Sequence, residues 1–158
     1  LSLHDALPIL LSYPTIGTFL AYQYAIDINY SELVNFNEME FVIAGPGAKA
    51  GIRKCFSNSE EYSQEYIIRY MCEHQKEEFR RLGLNFVTLW GRELQLIDCQ
   101  NIFCETDKYS RVKYPDILDC SGRTRIKQKY RMKEDKIEYF YPPKWGINDK
   151  IGKIYGNK

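Results

Sequence analysis

Two stretches of this 158-residue chain gather the residue types that chemistry needs. The first is the polar run from Gln95 to Val112, QLIDCQNIFCETDKYSRV, where Asp98, Glu105 and Asp107 stand among Lys108 and Arg111. Carboxylates beside cations on a half-buried segment make either an acid–base site or a structural ion network, and for any single pair the network is the default. The second is Phe41 to Ile52, FVIAGPGAKAGI, in which an apolar run meets Gly45-Pro46-Gly47 and passes through Ala48 and Lys49 toward Arg53 and Lys54. Glycine lets a backbone approach a ligand closely, and the free amides at the start of a helix favour a phosphate oxygen. With Lys49, Arg53 and Lys54 adding charge, Gly45, Gly47 and Ala48 suit the phosphate backbone of DNA, held without reading sequence. The plainer alternative is a Gly-Pro-Gly joint between two packed helices.

Other chemistries lack material. A Gly-x-x-x-x-Gly-Lys-Ser/Thr loop occurs nowhere, so the chain is not a P-loop kinase by itself. His4 and His74 are the two histidines, too few for a His-based metal site or triad. Cys55, Cys72, Cys99, Cys104 and Cys120 form no Cys-x-x-Cys pair and are odd in number, which argues against a zinc ribbon or disulfide framework and for reduced thiols inside a cell. No metal and no cofactor are expected. No run of about 18 apolar residues is present, so no membrane partner is expected either.

The elements that must position these residues read as helices. Leu1 to Ile9, LSLHDALPI, resembles the translation of a sequencing adapter and is set aside as foreign. Thr15 is placed to cap a helix whose face carries Ile16, Phe19, Leu20, Gln23 and Ile26. Asn37 with Glu40 resembles a capping box for a short helix through Val42 and Ile43, after which Gly45-Pro46-Gly47 turns the chain into a helix from Ala48 to Phe56. Ser59 to Arg81 predicts the longest helix, with Tyr62, Tyr66, Ile67, Tyr70 and Met71 as its buried stripe. Another helix is expected from Glu93 toward Arg111.

Beyond Pro115 the texture changes. Residues 1–112 carry 10 Lys and Arg against 15 Asp and Glu, whereas residues 113–158 carry 12 against 6. A basic segment of this kind suits a polyanion, though a solvated, aggregation-blocking edge is as good a reading. Alternation over Thr124 to Met132 and Lys136 to Tyr141 fits a short β-ribbon or an irregular arm, with Arg123 and Arg125 among the cations on one face. Pro142-Pro143 and Gly146, Gly152 and Gly156 suggest an extended, poorly ordered end. The expected organisation is a mainly α domain over residues 13–115 followed by a basic arm over 116–158.

The hairpin, the Gln100-Asn101 pair and the Cys-Glu-x-Asp-Lys-Tyr stretch at Cys104 to Tyr109 together resemble the helical domain associated with phage 5-hydroxymethyluracil DNA kinases. They are similar also to the glycosylase-like pyrophosphorylases that install amines on thymine, within the helix-hairpin-helix DNA glycosylase superfamily. The likeness runs over roughly Tyr13 to Trp145. It implies a helix-hairpin-helix glycosylase-like fold, a duplex DNA partner bearing a modified thymine, and a separate or fused kinase. Glycosylases of this superfamily hold a catalytic aspartate in an Asp-x-x-x-x-Arg context, which Asp107 to Val112 resembles. Asp107 is then the implied catalytic residue, with Lys108, Glu105 and Arg111 as charge partners. Two departures stand: the four-cysteine cluster loop of some glycosylases is missing, and Asp107 lies 60 positions beyond Gly47, against roughly 20 in glycosylases.

Three functions follow as expectations, all intracellular: in a bacterial or phage-infected cell, or in the nucleus of a eukaryote. An amine could displace pyrophosphate from a flipped, modified thymine with Asp107 as base. Alternatively the domain is a non-catalytic DNA-binding accessory of a 5-hydroxymethyluracil DNA kinase, or a glycosylase that excises the base.

Overall fold

The computed structural model describes residues 3–117, 125–126, 131–132 and 134–153. Among these the architecture is mainly α: α1 (Leu3–Leu11), α2 (Thr18–Asn29), α3 (Pro46–Cys55), α4 (Gln64–Glu73), α5 (Gln75–Arg81) and α6 (Leu96–Lys113). Short 3₁₀ turns lie at Ser59–Glu61, Pro143–Trp145 and Asn148–Lys150. The β structure among the described residues is a single isolated bridge between Leu89 and Arg92. None of the described helices is long and apolar enough to cross a membrane.

The 18-residue α6 is the spine. It opens on a capping box in which the Gln95 amide donates to Asp98 Oδ2 at 2.8 Å, and it closes with Arg111 and Lys113 at the negative end of its dipole. Helix α3 lies along it in the most extensive helix contact of the fold. Small residues permit that approach: a Cβ added to Gly51 would sit 2.0 Å from the Phe103 carbonyl oxygen, and one added to Gly47 would sit 2.5 Å from Cys104 Sγ. Gly47 and Gly51, four residues apart with buried Ala48 and Ala50 between them, therefore set the α3–α6 distance. Tyr22, Ile26, Val42, Ile52, Ile68 and Leu96 close the core around this pair.

Several local expectations change once the chain is packed. Gly17, not Thr15, is the N-cap of α2, and the buried face of that helix is Ala21, Tyr22, Ala25 and Ile26, with Leu20 exposed. Asn37 makes a turn rather than a helix start, its Oδ1 accepting from the Met39 amide at 2.9 Å, so Gly45 is entered from non-helical chain. The long helix over 59–81 is broken. Ser59 begins only a 3₁₀ turn, Ser63 caps α4 by accepting from the Tyr66 amide at 3.1 Å, and the chain leaves helical geometry at His74. The buried Gln75 side chain stabilises that break: its amide nitrogen donates to the carbonyls of Cys72 at 2.7 Å and Leu94 at 3.0 Å, and its oxygen accepts from the Leu94 amide at 2.9 Å. Ile67, Ile68 and Cys72 form the buried face of α4, leaving Tyr62, Tyr66 and Tyr70 exposed.

At the C-terminal side, residues 136–141 form no strand, and most of the ribbon expected over 124–132 lies outside the described residues. Where an extended end was expected, residues 141–150 dock on the helices. Asn148 clamps the Tyr141 backbone in both directions, at 2.8 and 2.7 Å, and Ile147 is buried. Lys144 Nζ donates to Asn29 Oδ1 at 2.7 Å and to the Val34 carbonyl at 3.1 Å. The Arg92 guanidinium lies 3.8 Å above the Trp145 ring. Gly156 is outside the described residues. The adapter-like segment supplies most of α1, which packs on α2 and sets Leu7 against the core.

Candidate functional site

The α3–α6 contact carries the buried charges. Asp107 projects from the fourth turn of α6 toward the last turn of α3, where Lys54 Nζ meets its Oδ1 at 2.7 Å. The same ammonium donates to Ser110 Oγ at 3.1 Å, and that hydroxyl donates to the Asp107 carbonyl at 2.9 Å. On the other side Arg111 Nη2 lies 2.9 Å from Asp107 Oδ2, an ion pair without the direction of a good hydrogen bond. Arg111 Nη1 donates to the Arg125 carbonyl at 2.7 Å, tying the chain beyond Pro115 back to α6. The Asp107 side chain is 1% exposed and that of Lys54 7%. The carboxylate is thus enclosed between two cations and ties α3 to α6.

The remaining residues singled out from sequence are distributed differently. Glu105 and Lys108 pair with each other on the outer surface of α6, and the Glu105 carboxylate pushes the Lys108 ammonium above its ordinary range. Gly45 is buried, and its amide donates to Gln100 Oε1 at 3.3 Å, while Ala48 is fully buried against α6. Two of the three hairpin positions proposed for phosphate are thus turned inward, and Lys54 is committed to Asp107. Lys49 is exposed and Arg53, one helical turn on, is half-buried. Arg125 is exposed, and Arg123 lies outside the described residues.

An open groove of about 510 Å³ follows the outer face of α6 between Leu94, Asn101, Ile102, Glu105 and Tyr109. The dense polar run of α6 is therefore split between two faces: Gln100, Asp107 and Ser110 lie within, Asn101, Glu105 and Lys108 outside. Sequence reasoning missed a second polar cluster, in which Arg92 bridges Glu38 at 2.9 Å and Asp98 at 3.1 Å beneath Trp145. Burial, followed by the neighbouring Glu38 and Asp98 carboxylates, pushes the adjacent Tyr30 phenol up to about 12. Asp98 is six residues away, but Glu38 and Trp145, which complete the cluster, lie more than 50 positions from Arg92 in sequence, so local pattern does not reveal it. The Gly-x-x-x-Gly spacing of Gly47 and Gly51 was a readable signal for close helix packing.

Fold and site together define a small helical domain locked by buried ion pairs, with exposed cations on α3, on α5, at the end of α6 and in the C-terminal segment. The family model for the helical domain of 5-hmdU DNA kinase matches residues 1–119, and the chain belongs to that family. It is also similar to a 5-hmdU DNA kinase of Bacillus phage SP10, 28% identical over 137 residues, an alignment covering 82% of this chain and 22% of that protein. The chain thus spans about a fifth of the length of the relative it matches. No solved structure matches it.

Proposed function

We propose that this domain is a non-catalytic DNA-holding module of a 5-hydroxymethyluracil DNA kinase, which presents the modified base to a separate phosphate-transferring part. The enclosure of Asp107 between Lys54 and Arg111 carries the reading. Amine transfer or base excision requires a carboxylate within hydrogen-bond reach of the reacting group, and Asp107 has no such access. The absence of a P-loop signature from this sequence agrees with phosphoryl transfer residing elsewhere.

Of the expected helix-hairpin-helix only the second helix, α3, is helical, and the proposed phosphate contact rests on it alone. The positive end of the α3 dipole opens at exposed Pro46, and Lys49 and Arg53 follow at four-residue spacing on one face. Such a row suits phosphate contact along a duplex. The test is fluorescence anisotropy with duplex DNA containing 5-hydroxymethyluracil at graded salt. Lys49→Gln is expected to weaken binding and to reduce the slope of log affinity against log salt by about one, as loss of one phosphate contact does. A wild-type slope in that variant removes α3 from the interface.

A further inference from the structure

An aromatic column runs from the core to the surface on the C-terminal side of the molecule. The Arg92 guanidinium caps its inner end, 3.8 Å above Trp145. Tyr141 stacks on Trp145 with ring centroids 6.0 Å apart and planes 25° apart, and Tyr139 stacks on Tyr141 at 6.3 Å and 9°. Trp90 supports both tyrosines from the side, at 5.9 and 5.4 Å. The inner end is fixed by the Arg92 bridges to Glu38 and Asp98, by Lys144 on Asn29 and by the Asn148 clamp on Tyr141. The outer end is open: Tyr139 is 54% exposed, and Phe140 beside it is 79% exposed.

We propose that Tyr139 is a stacking platform for unpaired bases of DNA, extending the column by one or more nucleobases. Exposed aromatic rings are hydrated at a cost, and a rigid mount removes the ordering entropy that a mobile loop would lose on binding. A base offers the flat π-face that continues such a column, whatever its identity. The net charge of the segment fits the same partner. Residues 113–158 carry 12 Lys and Arg against 6 Asp and Glu, and in the described part of that segment Arg131, Lys136 and Lys150 are exposed together with Glu134, Asp135, Glu138 and Asp149. The other exposed ladder, Tyr62, Tyr66, Tyr70 and His74 on α4, lies among Glu61, Glu65, Glu73 and Glu77, where a phosphate backbone is repelled. This inference rests on the proposed DNA-holding function and adds to it a preference for locally melted or single-stranded DNA near the modified base.

The test uses the full chain with a labelled single-stranded oligothymidylate of about 12 nucleotides and with the corresponding duplex, read by anisotropy and by tryptophan fluorescence. Single-strand binding should quench the tryptophans, because Trp90 touches Tyr139. Tyr139→Ala should weaken single-strand binding about 5- to 100-fold, with little effect on the duplex and none on the salt slope, since no charge is removed. Tyr139→Trp should retain binding, and Tyr66→Ala should behave as wild type. Tyr139→Leu keeps apolar bulk against Trp90 while removing the π-face, so it remains informative if Tyr139→Ala is unstable. Wild-type single-strand affinity in Tyr139→Leu overturns the platform. If Lys49→Gln then still weakens the duplex, the DNA-holding function stands without it. Failure of the wild-type chain to bind either form of DNA removes both.

Discussion

Lys54 on α3 and Asp107 on α6 meet at 2.7 Å across the most extensive contact among the described helices, and both side chains are almost wholly removed from water. Taking two charges out of solvent is expensive, and their mutual attraction repays it only when the remaining donors and acceptors are satisfied. Ser110 accepts a second hydrogen bond from Lys54, and Arg111 balances the charge at Asp107 Oδ2 without a directed hydrogen bond. The pair therefore specifies how α3 docks on α6.

Removing one partner strands the other. Asp107→Ala leaves Lys54 and Arg111 without their buried counter-charge and is expected to destabilise the domain by about 3–5 kcal/mol, measured by urea denaturation. Replacing Lys54 and Asp107 together by apolar residues of similar size should recover much of that loss. Additive effects of the two single changes would contradict the coupling.

The interhelical spacing gives a graded prediction. Gly51→Ala places a methyl against the Phe103 backbone, which cannot move without shifting α6, whereas Gly47→Ala meets the side chain of Cys104. Gly51→Ala should cost about 1–3 kcal/mol or more, and Gly47→Ala clearly less. Equal effects in thermal melts would mean that α3 does not sit as closely as described.

The buried phenols predict an alkaline limit. Tyr30 is pushed up to about 12 and Tyr22 is raised as well, burial being the first cause for both. The unfolded chain gives up these protons near pH 10, so the folded state binds more protons above that point and stability falls as pH rises from about 10 to 12. Below about pH 10 the contribution is fully present. Urea midpoints should drop between about pH 10 and 12, and less so in Tyr22→Phe. Because the Tyr22 hydroxyl is buried without a hydrogen-bond partner, that variant should lose no stability at neutral pH.

The C-terminal segment should detach on loss of its anchor. Trp145→Ala removes the Arg92 cation–π contact, worth about 0.5–2 kcal/mol, and the edge-on contact with Tyr30 at 5.3 Å. Limited proteolysis should then cut faster between residues 136 and 153, while α6 stays protected. Unchanged cleavage would show that Lys144 and Ile147 suffice to hold the segment.

Legibility varied with how local the determining contacts are. The mainly α character, α6 and the Gly-Pro-Gly start of α3 could be read because caps, breakers and periodicity act within a few residues. The family could be read because the hairpin and the Cys104 to Tyr109 stretch carry it. The 59–81 helix was overextended: its periodicity is sound, yet Gln75 satisfies the Cys72 carbonyl and stabilises a break, through a side chain whose other partner, Leu94, is 19 positions away. The tyrosines of α4 were misassigned to the core because Tyr pairs at four-residue spacing describe an exposed stack as well as a buried stripe.

By itself the sequence determined that this is a helical member of a DNA-modification family, with segregated charge and without a P-loop, because composition, spacing and short motifs survive in one dimension. Packing alone reveals that Asp107 is buried between Lys54 and Arg111, that Gly45 and Ala48 are buried, and that the aromatic C-terminal segment is anchored. Each of those facts depends on which distant side chain stands opposite, and in a closely packed interior an opposing cation or backbone a few ångströms away determines whether a polar group is available to a ligand or consumed by the fold.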